Sequence, residues 1–242
     1  MIPAPAFLAN PERFMAFSRW AAPMFGAIAL LLAAVGLWLG FTAPDDYQQG
    51  ATVKIMFIHV PAAWMSMFVY VCMGIASFLA LVFRHALADA AAQAAAPLGA
   101  AFTALALITG SLWGRPMWGA WWVWDARLTS VLVLFLFYLA YMALRASLDD
   151  ETKAARAGAI LALVGLVNLP VVHWSVTWWN TLHQGASVFR KGGSTLAPVF
   201  LTPLLLMGLA YTSAFGALWL VRIRGEVWRK RAEAAALRAA RA

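Results

Sequence analysis

Six stretches free of any charged residue punctuate the chain, at 20–44, 55–83, 90–114, 128–144, 157–189 and 192–221. A helix needs about 20 mainly apolar residues to cross a bilayer. Each stretch therefore holds one such helix, and none holds two with a turn between. The pattern predicts an all-α, polytopic membrane protein in one integral domain, with spans at about 20–41, 61–83, 95–113, 128–145, 154–172 and 199–221. The first run, Trp20–Phe41, exceeds the ~7–15-residue core of a secretory signal, and Ala43-Pro44-Asp45 is a poor cleavage site. It is expected to stay as an anchor. Between and beyond the spans lie a Trp-rich loop at 113–127, a His/Trp loop at 173–198 and a basic tail at 222–242.

Composition agrees with this reading. Apolar residues make up 64% of the chain and charged residues 12%, against ~45–50% and ~25% in soluble domains. A soluble globule and a disordered chain are both excluded. The net charge of +8 is first a topology signal. With the N-terminus inside, 13 of the 18 Lys and Arg fall on inner segments and 5 on outer ones. The positive-inside rule then places both termini in the cytoplasm, and no nucleic-acid partner is needed to explain the charge. On the inner side, residues 145–156 read as a short charged turn, His85 as a solvated interfacial residue, and the tail as a helix on the surface of the lipid bilayer. One cysteine, Cys72, excludes a disulfide framework. No Walker A pattern occurs, so the chain is not expected to hydrolyse ATP itself.

Eight of the 13 Trp lie in the two outer loops, more than an interfacial belt requires. If residues 118–127 form a short interfacial helix, Trp118, Trp121, Trp122 and Asp125 fall at i, i+3, i+4 and i+7. Three indoles then share one face as a flat platform. Three histidines, His59, His173 and His183, lie on the same outer side. A bare metal ion would want close-set donors with carboxylates, and that spacing is missing. A large flat cofactor suits the pattern better. Haem uses axial imidazoles, apolar or aromatic walls and cations for its propionates, and Lys54, Arg115, Arg127, Arg190 and Lys191 are all on that side. Without a Cys-x-x-Cys-His motif, such haem would be held non-covalently, as haem b.

The segment Trp118-Gly-Ala-Trp-Trp-Val-Trp-Asp125-Ala-Arg-Leu-Thr-Ser130 resembles the tryptophan-rich signature of the haem-handling membrane proteins of cytochrome c maturation. Tyr47-Gln-Gln-Gly50, His59-Val-Pro-Ala-Ala63, Val167-Asn-Leu-Pro170 and Trp178-Trp-Asn-Thr-Leu-His-Gln-Gly185 are similar to the branch called cytochrome c maturation protein C, or haem exporter protein C. The resemblance runs over about residues 40–190. It implies a bacterial inner-membrane protein that binds haem transiently at its periplasmic face and loads it onto a periplasmic haem chaperone. It further implies an ABC-type complex comprising an ATPase subunit, a membrane subunit and a small single-span subunit. By position, His59 and His183 match the family's outer histidines and are the expected axial ligands to iron. Trp118, Trp121, Trp122, Trp124 and Asp125 match the signature that contacts haem or chaperone. His173 is a third candidate. Lys54, where a basic residue is expected, and Arg127 are the candidates for the propionates, and Asp125 is expected to orient Arg127 or an indole N–H.

No catalytic residue is expected, since no Ser/His/Asp or Cys/His arrangement appears; the chemistry is ligation and presentation. Three rivals remain: a b-type electron-transfer subunit, whose histidines would lie inside spans; a haem permease, which would show ionisable groups or broken helices at membrane depth; and a structural assembly subunit.

Overall fold

The computed structural model of the protein describes residues 10–185 and 187–240; Ala186, in the His/Trp loop, and Arg241, counted among the tail cations, lie outside the described residues. Among the described residues there are seven α-helices: α1 Pro11–Thr42, α2 Met56–Phe83, α3 Ala86–Trp118, α4 Ala126–Ala146, α5 Glu151–Gly165, α6 Asn168–Trp178 and α7 Pro198–Ala239. A short 3-10 helix, Ala51–Ile55, leads into α2. Six segments are long and apolar enough to cross a membrane, α5 and α6 together forming one. The chain is thus a multi-pass membrane protein. One end of the bundle gathers the Trp-rich loops, the aromatic end; the other gathers the start of α1 and the end of α7, the charged end.

Local chemistry sets the helix starts. Asn10 Oδ1 accepts from the Glu12 and Arg13 amides ahead of α1, and Asp150 Oδ1 from Thr152 and Lys153 ahead of α5. His85 caps α3 in the same way, its Nδ1 accepting from the Ala88 amide at 3.1 Å. It is buried, not solvated as expected, because the amides of a helix start need a partner wherever water is scarce. The core lies between α2 and α4. Met65, Val69, Tyr70 and Met73 of α2 meet Leu134, Tyr138 and Tyr141 of α4, with the Ala92, Ala95, Ala96 and Ala100 face of α3 against both. Small side chains let membrane helices approach closely. Helix α1 packs mainly on α7.

Three expectations change. First, the aromatic helix over 118–127 does not form: α3 ends at Trp118 and residues 119–125 are irregular. Gly119 takes a left-handed φ of 76°, its amide closes on Arg115 O at 3.1 Å, and the Arg115 guanidinium also grips the Gly119 carbonyl. A left-handed glycine ends a helix at little cost. Second, span 154–172 is broken. Leu166 and Val167 make i→i−3 bonds, and Asn168 Nδ2 donates to Ser130 O on α4 at 2.9 Å. Pro170 offers no amide to Leu166 O, so the α-helical ladder cannot run through. Third, the tail does not turn onto the membrane surface. Helix α7 continues for 42 residues, about 63 Å at the α-helical rise, carried past its apolar part by Glu226–Arg229 and Arg229–Glu233 pairs at i+3 and i+4.

The inner turn at 145–156 likewise belongs to a larger network. Arg145 reaches Asp89 with two nitrogens at 2.5 and 3.3 Å, and Gln93 at 3.2 Å. Lys230 meets Asp89 at 2.9 Å and Glu151 at 3.2 Å, while Arg231 meets Glu12 at 2.6 Å. Five helices are tied together at the charged end.

Candidate functional site

A partly open, mainly apolar cavity lies at the aromatic end. Helix α2 contributes His59, Ala63 and Met67, residues spaced by four that share one face. They span about 12 Å of helix, so the cavity reaches some two turns into the bundle. Ala106, Leu107, Gly110 and Ser111 of α3 form the facing wall. Val131 of α4 and Val172 of α6 close the sides, and Trp118, Trp122, Arg127 and His183 form the rim.

His59 lies deeper than expected. The sequence suggested a position at the mouth of a helix starting near Pro61; instead the 3-10 helix and α2 join into one span from Ala51. Its Nδ1 lies 3.0 Å from Ala106 O and 3.1 Å from Thr109 Oγ1, and the Trp113 ring stands edge-on at 5.7 Å. Trp113 is itself held by Gln49 Oε1 at 3.0 Å.

His183 arrives from the loop after α6. The Trp118 ring packs against it at 4.9 Å. Asp125 brings it there with both carboxylate oxygens: Oδ1 caps α4 through the Leu128 amide at 2.7 Å, and Oδ2 accepts from the Leu182 amide at 3.3 Å. Oδ2 also stands 3.7 Å from His183 Nδ1, too long for a hydrogen bond but close enough to favour a proton on that nitrogen and leave Nε2 free. Asp125 therefore orients the His183 loop, where the sequence suggested Arg127 or an indole as its partner. Burial, against the opposing pull of Asp125, holds the His183 imidazole below its ordinary range, which favours the neutral form that ligates a metal.

Trp122 Nε1, Arg127 Nε and His183 Nδ1 are buried and meet no hydrogen-bond partner among the described residues, although such groups are nearly always satisfied. Arg127 makes one long contact, from Nη2 to His173 O at 3.4 Å. The cavity can thus take a flat apolar molecule, offer imidazole nitrogens to a metal, and meet acidic side groups with Arg127 and Trp122.

The remaining candidates fall outside the cavity wall. Trp121 and Trp124 are 57% and 75% exposed, and Trp174, Trp178 and Trp179 are exposed as well. Lys54 pairs with Asp45 at 3.3 Å, and His173 is exposed beside Trp174. The sequence reading missed Thr109, Gly110 and Met67. The hydroxyl and the glycine in an apolar stretch were the available signal for the first two; Met67 carried none, since a methionine in a span looks like any packing residue.

A family model described as Heme exporter protein C matches residues 5–238. The chain is 62% identical over 224 residues to the Heme exporter protein C of Bradyrhizobium diazoefficiens, covering 93% of this chain and 85% of that protein. Its identity to the protein of the same name from Paracoccus denitrificans is 46%, over 97% of this chain and 98% of the relative. For the Escherichia coli (strain K12) protein the identity is 45%, over 90% and 88%.

Proposed function

The chain belongs to the heme exporter protein C family, and on that premise we propose that it binds haem at the aromatic end and presents it for cytochrome c maturation. The observation that carries this reading is that His59 and His183 line one cavity whose rim holds the buried Trp122 Nε1 and Arg127 Nε without hydrogen-bond partners among the described residues. His59 and His183 would supply the axial nitrogens. Trp118 and Trp122 would flank the ring, and Arg127 with the Trp122 N–H would meet a propionate, a charged contact worth ~1.5–3 kcal/mol. Bound there, haem brings a redox-active iron and a reactive vinyl edge; the chain's own part is to ligate, orient and exclude water. The only cysteine, Cys72, packs against the α2–α4 core, which supports a haem held without thioether bonds, as haem b would be.

The cation bias along the sequence supports an orientation with both termini cytoplasmic and the aromatic end facing the periplasm, in the bacterial inner membrane. The exposed Trp121, Trp124, Trp174, Trp178 and Trp179 would offer apolar contacts to the periplasmic haem chaperone. Energy would come from an ABC ATPase subunit and its membrane subunit, with a small single-span subunit completing the complex.

The test is an oxidised and reduced absorption spectrum of the purified complex, wild type beside His59→Ala and His183→Ala. Low-spin bis-histidine haem lost in both variants is the expected result; haem unchanged in either one overturns the axial assignment. One observation favours a second reading, a b-type electron-transfer subunit: His59 lies inside a spanning segment. Haem that is reduced by quinol and never leaves the protein would support that alternative.

A further inference from the structure

Resting on the haem reading above, we propose that Thr109 is a positioning residue that selects the ligating nitrogen of His59 and holds its ring. Thr109 is 8% exposed on α3, 50 residues along the chain from the imidazole it touches. Its hydroxyl has one proton, and Leu105 O takes it at 2.6 Å, far closer than Ala106 O at 3.4 Å. Toward His59 the oxygen can only accept. The other neighbour of His59 Nδ1, the Ala106 carbonyl at 3.0 Å, is also an acceptor. With two acceptors and no donor facing it, Nδ1 must carry the proton. Nε2 is then the free donor nitrogen.

The same clasp sets the plane of the ring. A methyl group on Gly110 would come within 3.0 Å of His59 Cε1, so the imidazole lies close over a backbone that only glycine leaves bare. The Trp113 ring edge closes a third side at 5.7 Å. An N–H shared between a carbonyl and a hydroxyl also makes Nε2 a stronger ligand, as outer-shell acceptors do for metal-bound histidines.

The experiment compares wild type, Thr109→Val and Thr109→Ser in the purified complex, by the low-spin haem spectrum and the rate of haem loss to apomyoglobin. Thr109→Ala removes the same acceptor without bulk and serves if the valine variant does not fold. Outer-shell partners of metal ligands are worth ~10–100-fold. Because Ala106 O still accepts, the low end is expected: about tenfold faster haem loss in the valine or alanine variant, with an altered low-spin signal. The serine variant should match wild type. Unchanged haem loss in the acceptor-free variants overturns the proposal, and so does a serine variant as impaired as valine, which would mean packing by the methyl group. If wild type holds no haem, or His59→Ala leaves haem unchanged, the parent reading fails and this one fails with it.

Discussion

The two ends of the bundle treat buried polarity in opposite ways. At the charged end, Asp89 sits at 11% side-chain exposure and meets Arg145 and Lys230, and His85 spends its nitrogen on a helix cap. At the aromatic end, Trp122 Nε1 and Arg127 Nε are buried without a hydrogen-bond partner among the described residues, and His183 Nδ1 has only Asp125 Oδ2 at 3.7 Å. Two further atoms without a hydrogen-bond partner, Tyr70 Oη and Ser77 Oγ, do not line that cavity. Both ends are rich in nitrogen donors, so composition does not separate them. Satisfaction does: a paired network fastens helices to one another, whereas donors left open around a cavity await something from outside.

Breaking the charged end should produce the largest effect. Asp89→Ala leaves the buried Arg145 guanidinium without its carboxylate and Lys230 with Glu151 alone; breaking a buried pair in this way costs ~3–5 kcal/mol. Thermal unfolding in detergent should shift down markedly, while the haem spectrum of the folded fraction stays as in wild type. The aromatic end should show the converse. His183→Ala is expected to weaken haem retention beyond the ~10–100-fold of an outer-shell change, with the unfolding midpoint nearly unmoved, since the loop contributes little to the core. Arg127→Gln sharpens the contrast at a smaller scale. Losing one charge-assisted contact of ~1.5–3 kcal/mol should speed haem loss about 10- to 100-fold and leave both axial ligands spectroscopically intact. Lys54→Ala should do least. Its ammonium is engaged by Asp45 at the surface, an exposed pair of ~0–1 kcal/mol, and haem retention should change less than about twofold. A large loss there would restore Lys54 as a propionate contact.

Much of the fold was legible from the chain alone. Residues 20–44 or 55–83 lack charge because a bilayer core rejects it, and that exclusion is written residue by residue. His59 and His183 were singled out from the sequence with their Trp-rich context, and the structure brings both to one cavity. The shape of the Trp-rich segment was not. A helical period placed Trp118, Trp121 and Trp122 on one face, but Gly119 ends α3 and Asp125 starts α4, so Trp118 and Trp122 turn into the cavity while Trp121 turns out. The same seven-residue stretch supports both readings, and tertiary contact decides between them.

The sequence by itself determined the number of spans, the bias of positive charge, and which residue types crowd the aromatic end. These follow from local partition between water and lipid and from helical spacing, neither of which needs a distant residue. Tertiary structure alone decided that His59 meets Ala106 and Thr109, that Asp125 holds the amide of Leu182, and that Arg145 finds Asp89. Those partners lie 47 to 57 positions apart. Their meeting depends on how six spans pack side by side, and no periodicity along one chain encodes a distance between two helices.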